Sequence, residues 1–178
     1  MDCSSRRHFL CVAGLGVAGA LLTTRAAAQA PASAGPVDPA LIEDLVAANR
    51  ILVDQGVMDG YGHVSVRHPA DPQRYLMSRS IAPELVTAAD VMEYDLDSTP
   101  VDARGRATYL ERFIHGEIYR ARPDVKAVVH DHSPSVIPFG VSTTPLRPLY
   151  HMSAFLGGGV PVYDIKTTSG LVHRHARA

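Results

Sequence analysis

The stretch TYLERFIHGEIYRARPDVKAVVHDHSP, Thr108 to Pro134, constrains this chain more than any other. Thr108 and Glu111 have the spacing of a helix-capping pair, and Leu110, Phe113, Ile114 and Ile118, with Tyr119, recur as helical apolar faces do. Pro123 stops that helix, because proline lacks the amide and clashes with the preceding turn. The turn at RPDV then sends the chain back as an apolar strand ending in His130-Asp131-His132. A helix that folds straight back into a strand must pack on the sheet the strand joins.

The lengths of this hairpin bring chemistry together. A helix rises about 1.5 Å per residue and a strand about 3.3 Å. Glu111 to Pro123 therefore covers about 18 Å and Pro123 to His130 about 23 Å, so Glu111 returns to the neighbourhood of the two histidines. Alternation along a strand predicts that His130 and His132 share a face about 6 to 7 Å apart, with Asp131 on the other. Two imidazoles so placed can converge on one cation, and a nearby carboxylate can accept a proton or act as a reserve ligand. The residues alone leave the plainer alternatives open: two histidines satisfied at a strand end, and a glutamate that only caps its helix.

Upstream, Asp38-Pro39 offers an N-cap and a first-turn proline. Leu41, Leu45, Ala48 and Leu52 predict a helix from Pro39 to Gln55 that ends at Gly56. His63 to Arg67 alternates as a half-buried strand; RYLMSRS and VMEYDLD read as two more, with a short helix in APELVTAADV between them. Downstream, Val160 to Ile165 is the predicted last strand. Short strands after one helix suggest an antiparallel meander, so the fold class expected is α+β: a central, mainly antiparallel sheet with flanking helices.

The first 30 residues read differently. Arg6-Arg7 precede an apolar run from Phe9 to Leu22 and then AAAQA, the layout of an export signal of twin-arginine type, and the run is short for a membrane span. The expected organisation is a signal over 1–30, a linker over 31–37 and one domain over 38–178, incomplete at its C-terminus, with a periplasmic location; the alternative is cytoplasmic. Both cysteines, Cys3 and Cys11, lie in the signal, so a metal site in the exported protein must use His, Asp or Glu. Loss of Arg6, Arg7, Arg25 and Asp2 takes 17 basic and 18 acidic residues to 14 and 17, a net charge of −3. Such a balance gives no basis for nucleic-acid binding, and none for a membrane after signal removal.

YLERFIHGEIYRARPDVKAVVHDHSPSVIPFGV resembles the signature region of the class II aldolase/adducin family: a glutamate at a helix start, an RPD turn, and a VVHxH strand nineteen residues on. GHVSVRHP and YLMSRSIAPELVTAADVMEYD match the family's upstream strands, so the resemblance covers residues 40 to 165. It implies a three-layer α/β/α arrangement. It also implies that His130 and His132 are two of three ligands to a divalent metal, usually Zn2+, and that Glu111 is the catalytic acid/base. The implied activity is carbon–carbon lyase chemistry on a small oxo- or hydroxy-acid or sugar-derived aldehyde, through a metal-stabilised enediolate, in a homo-oligomer. Decarboxylation of a semialdehyde acid uses the same chemistry, and adducin-like members of the family are non-catalytic.

Three departures qualify the resemblance. Where the family's phosphate pocket has Gly-Asn, Thr-Gly and Ser-Ser pairs, this chain has Gly62-His63, Arg79-Ser80 and Tyr109-Leu110. Gly62, His63, Ser78, Arg79 and Ser80 are accordingly the candidate substrate contacts, with His63 and Arg79 suited to a carboxylate. The family's third histidine has no counterpart, leaving His151 as a weak substitute and His173 and His175 as a basic tail. His68 and His115 read as structural or exposed. The export signal is the third departure, since sugar aldolases of this family are mostly cytoplasmic.

Overall fold

The structure, a computed structural model, describes residues 30–163. Helix α1 spans Pro39–Asp54; Asp38 Oδ1 accepts from the Ala40 amide at 2.9 Å, and proline occupies the first turn, as the sequence predicts. The chain leaves α1 through Gly56, whose φ of 67° suits glycine.

Strands β1 (His63–Arg67), β2 (Arg74–Ser78), β3 (Val91–Asp95) and β4 (Ala127–His130) form one antiparallel sheet in the order β3-β2-β1-β4. The first three make the expected meander. β4 returns beside β1 with His63 opposite His130 and Ser65 opposite Val128.

Alternation sorts the sheet's residues between two cores. Val64 and Leu76 face α1, where they pack with Leu45 and Met58. Buried Asn49 ties that helix to the sheet, donating to Leu45 O at 2.8 Å while its Oδ1 accepts from the Val64 amide at 3.3 Å. Tyr75, Met77, Met92, Tyr94 and Val128 cluster on the opposite face with Tyr109 and Tyr119. Helix α2 (Arg112–Ala121) covers this second face, so the sheet lies between two helical layers.

The face that α2 buries is not the aliphatic one expected. Phe113 and Ile114 are about half exposed and Leu110 more so, whereas His115, Gly116 and Tyr119 are buried. Gly116 lets the helix approach closely: a Cβ there would fall 2.5 Å from Ser98 Oγ and 2.6 Å from Leu96 O. Ser65 Oγ lies 2.6 Å from His115 Nδ1 and 2.8 Å from Tyr119 Oη, so hydrogen bonding selects the polar side of the helix. Buried Arg67 fastens the other end, donating to the carbonyls of Tyr119, Arg122, Val125 and Pro72. A guanidinium at a helix C-terminus meets carbonyls that have no intrahelical partner.

Two further expectations are corrected. The Thr108–Glu111 capping pair does not form: α2 starts after Glu111, whose side chain makes no cap bond. Tyr109 is the physical reason, because its ring is buried against His63 and its hydroxyl bonds Ile81, drawing residues 108–110 off the helical path. The last strand is not present over 160–163, and residues 164–165 lie outside the described residues. From Asp131 to Tyr163 the chain makes a short helix α3 (Ile137–Val141) and a 3-10 turn (His151–Leu156), and none of these residues is buried. Residues 1–29 of the segment expected to be a signal and the tail with His173 and His175 also lie outside the described residues.

Candidate active site

The ends of β1 and β4 and the start of α2 meet at one edge of the sheet. His130 closes β4, and because β1 begins at its partner His63, the ladder has nothing further to pair with. Asp131 Oδ1 then accepts from the Ser133 amide at 2.8 Å and turns the chain.

That turn carries His132 off the strand, which corrects the expectation of two histidines on one strand face. The two rings nevertheless meet edge to face, with their Nε2 atoms 3.1 Å apart. Two nitrogens at about 2.0 to 2.1 Å from one tetrahedral zinc would stand roughly 3.3 Å apart, so the pair fits as two neutral donors to one divalent cation. Among the described residues, no third His, Cys, Asp or Glu completes a metal-holding group with them, His151 included.

Glu111 is placed as the hairpin lengths predict. It lines, with His132, a cleft of about 370 Å³ whose walls include Tyr61, Ser80, Ile81, Tyr109 and Leu110. The residue after it is firmly held: Arg112 donates to Ser98 O at 3.0 Å and to Tyr109 O at 2.8 Å, and its own carbonyl accepts from Ser98 Oγ at 3.0 Å. Ser98 is buried with a φ of 61°, a conformation uncommon for a serine and kept here by these bonds and by Tyr75.

Behind the outer pair lie two buried histidines. His63 stacks on Tyr109 with ring centroids 4.0 Å apart and lies 4.9 Å from both His115 and His130. Burial pushes His63 down to about 4 and His115 to about 3, so both are neutral at physiological pH. Burial also lowers His130, and the neighbouring His132 adds to that effect. His63 Nδ1 donates to Tyr61 O at 3.1 Å, and its buried Nε2 has no partner among the described residues. A neutral His63 is not a cationic receptor for a carboxylate.

The remaining predicted contacts separate. Ser80 lines the cleft. Arg79 is ion-paired with Asp90 at 2.6 Å and is not among the cleft-lining residues, so its charge is already matched. Ser78 is fully buried in the sheet. Gly62 is required by packing, since a Cβ there would lie 2.8 Å from that of Met58. Sequence reasoning missed Asp59, whose Oδ2 lies 3.2 Å from His132 Nδ1. The only signal was its position in the DGYG turn that opens β1.

The family described as "Class II Aldolase and Adducin N-terminal domain" matches residues 43–178. The chain is 42% identical over 126 residues to the decarboxylase tropJ of Talaromyces stipitatus, covering 70% of this chain and 47% of that protein. It is 32% identical over 136 residues to 3,4-dihydroxyphthalate decarboxylase of Arthrobacter keyseri, covering 68% and 54%. The chain thus spans about half the length of these curated relatives. Among solved structures it is similar to L-fuculose 1-phosphate aldolase from Glaciozyma antarctica PI12, with a TM-score of 0.62 and 26% identity over 80% of this chain and 63% of that one. Sheet, helical layers, family match and relatives converge: the chain belongs to the class II aldolase and adducin family.

Proposed function

We propose that this chain carries the metal-binding and proton-transfer residues of a decarboxylase for a small oxygenated aromatic acid. The observation that carries this reading is the cleft between Glu111 and His132. Tyr61, Tyr109, Leu110 and Ile81 give it aromatic and aliphatic walls beside the hydroxyls of Ser80 and Thr108. A flat ring suits aromatic and aliphatic walls, and its oxygens would then meet the metal that His130 and His132 would hold. The decarboxylase names of the relatives support the same choice.

In this reading His130 and His132 hold a divalent metal, most simply Zn2+, which when bound supplies a Lewis acid for charge developing on the substrate's oxygens. Tyr61 and Leu110, which line the cleft, flank the ring. The bond from ring carbon to carboxylate breaks, its electron pair stays on that carbon, and carbon dioxide leaves. The Glu111 carboxyl then delivers a proton to the same carbon. His63 and His115 contribute no charge; the ring of His63 packs beside His130 and supports it from below.

Aldol cleavage is the second reading, favoured by the structural likeness to L-fuculose 1-phosphate aldolase. An assay of the purified protein with added zinc or manganese separates the two. Release of carbon dioxide from a dihydroxyphthalate is expected, with no cleavage of L-fuculose 1-phosphate. Aldol products without carbon dioxide would reverse the assignment. A non-catalytic adducin-like role predicts neither product and no metal in the purified protein. We further propose periplasmic export through the Arg6-Arg7 segment; substitution of both by lysine should retain the protein in the cytoplasm on fractionation.

A further inference from the structure

His132 lies in a turn rather than a strand, so something other than the sheet must aim its ring. One side chain is placed to do so. Asp59 Oδ1 accepts from the amides of Tyr61 at 2.9 Å and Gly62 at 3.1 Å, which fixes the carboxylate in the turn before β1. Its second oxygen, Oδ2, reaches His132 Nδ1 at 3.2 Å. We propose that Asp59 is the positioning residue of His132: it accepts the Nδ1 proton, holds the ring against the turn, and leaves the Nε2 lone pair directed at His130. This rests on the metal reading only for its consequence, since the tautomer is a property of the protein without metal.

Donors and acceptors decide the tautomer. A carboxylate can only accept, so a neutral imidazole facing Oδ2 through Nδ1 must carry its proton there. Nε2 is then the free nitrogen, and it is the atom found 3.1 Å from His130 Nε2. A histidine that binds a cation through one nitrogen commonly presents the other to a carboxylate, which fixes tautomer and orientation together. Here the same carboxylate also holds the backbone amides leading into β1. The turn after β4 is thereby tied to the turn before β1, at the edge where Glu111 stands.

Asp59→Asn is the informative substitution because it is nearly isosteric. The two backbone amides retain the single remaining oxygen, so the new amide group faces His132 Nδ1 as a donor and favours the opposite tautomer. The experiment is nitrogen NMR of 15N-histidine-labelled, metal-free protein at pH 8, with His132 assigned by its absence in His132→Gln. Wild type should show a protonated Nδ1 and a bare Nε2, and Asp59→Asn should reverse the two while thermal unfolding stays within a few degrees. Zinc titration should then show an affinity about 10- to 100-fold weaker in the variant. A wild type protonated on Nε2, or an unchanged spectrum in Asp59→Asn, overturns the proposal whatever the zinc result. A reversed spectrum in a protein that binds no zinc in either form upholds the role of Asp59 and removes only the metal reading. If Asp59→Asn unfolds, Asp59→Ser is measured in its place, where loss of the fixed tautomer is expected and its persistence counts against the proposal.

Discussion

Two pairs of histidines lie within one short stack, and they differ in almost every physical respect. His63 and His115 are fully buried, flanked by Tyr109 and Tyr75, and pushed by burial to about 4 and about 3. His130 and His132 are partly exposed at the sheet edge, with their Nε2 atoms facing each other and Asp59 behind one of them. The same side chain is thus packing material in one place and an available nitrogen donor a ring's width away. What separates them is the end of a ladder: β1 and β4 pair up to His63 and His130, and beyond that point the backbone turns outward. Residue type alone does not identify a ligand; access does.

If the outer group does the chemistry, the largest effect comes from Glu111→Gln. It removes the proton carrier without changing shape, and turnover should fall by about 10²- to 10⁴-fold. Bound metal and thermal stability should be unchanged. A variant that retains full turnover would show that the proton comes from elsewhere.

His130→Ala acts on the same group by another route. Metal content, measured by elemental analysis of purified protein, should drop to background while the circular dichroism spectrum is preserved, because a partly exposed strand end contributes little to packing. His115→Ala should do the reverse. It leaves a cavity under α2 and strips Ser65 of a partner, at a cost of about 3 kcal/mol in chemical denaturation, with metal affinity nearly intact. Equal effects of the two variants on metal content would erase the distinction between the pairs.

Much of this arrangement is legible in the sequence. Strand β1 falls at His63–Arg67, α1 begins at Pro39 behind its aspartate cap, and the helix-to-strand hairpin brings Glu111 back to the histidines, since alternation, capping and rise per residue are local properties. The illegible parts depend on partners distant in sequence. The apolar periodicity of Leu110, Phe113 and Ile114 points to the wrong face of α2, because Ser65, from another strand, bonds His115 and Tyr119. Arg79 reads as an anion receptor only while Asp90, which matches its charge, is out of view. Asp59 lies 73 residues from the histidine it contacts, and no periodicity links them.

The smallest effect is a slope. His115 titrates near 6.5 when unfolded and at about 3 when folded, with burial the main cause and the neighbouring His63 and His130 adding to it. Between those values the unfolded chain binds a proton that the folded chain refuses. Stability contributed by the neutral ring is therefore complete above pH 6.5 and is lost as pH falls toward 3, at about 1.4 kcal/mol per pH unit. His63 acts in the same direction down to about 4, so the wild type should lose stability at up to twice that slope in the upper part of the window. His115→Gln keeps a polar group near Ser65 but cannot titrate. Urea unfolding at pH 6.5, 5.5 and 4.5 should give the variant a shallower fall than wild type by about 1.4 kcal/mol per unit, even though the variant starts less stable at neutral pH. Parallel slopes would mean that His115 is protonated, or exposed to solvent, in the folded protein, and the inner pair would then differ from the outer pair only in position.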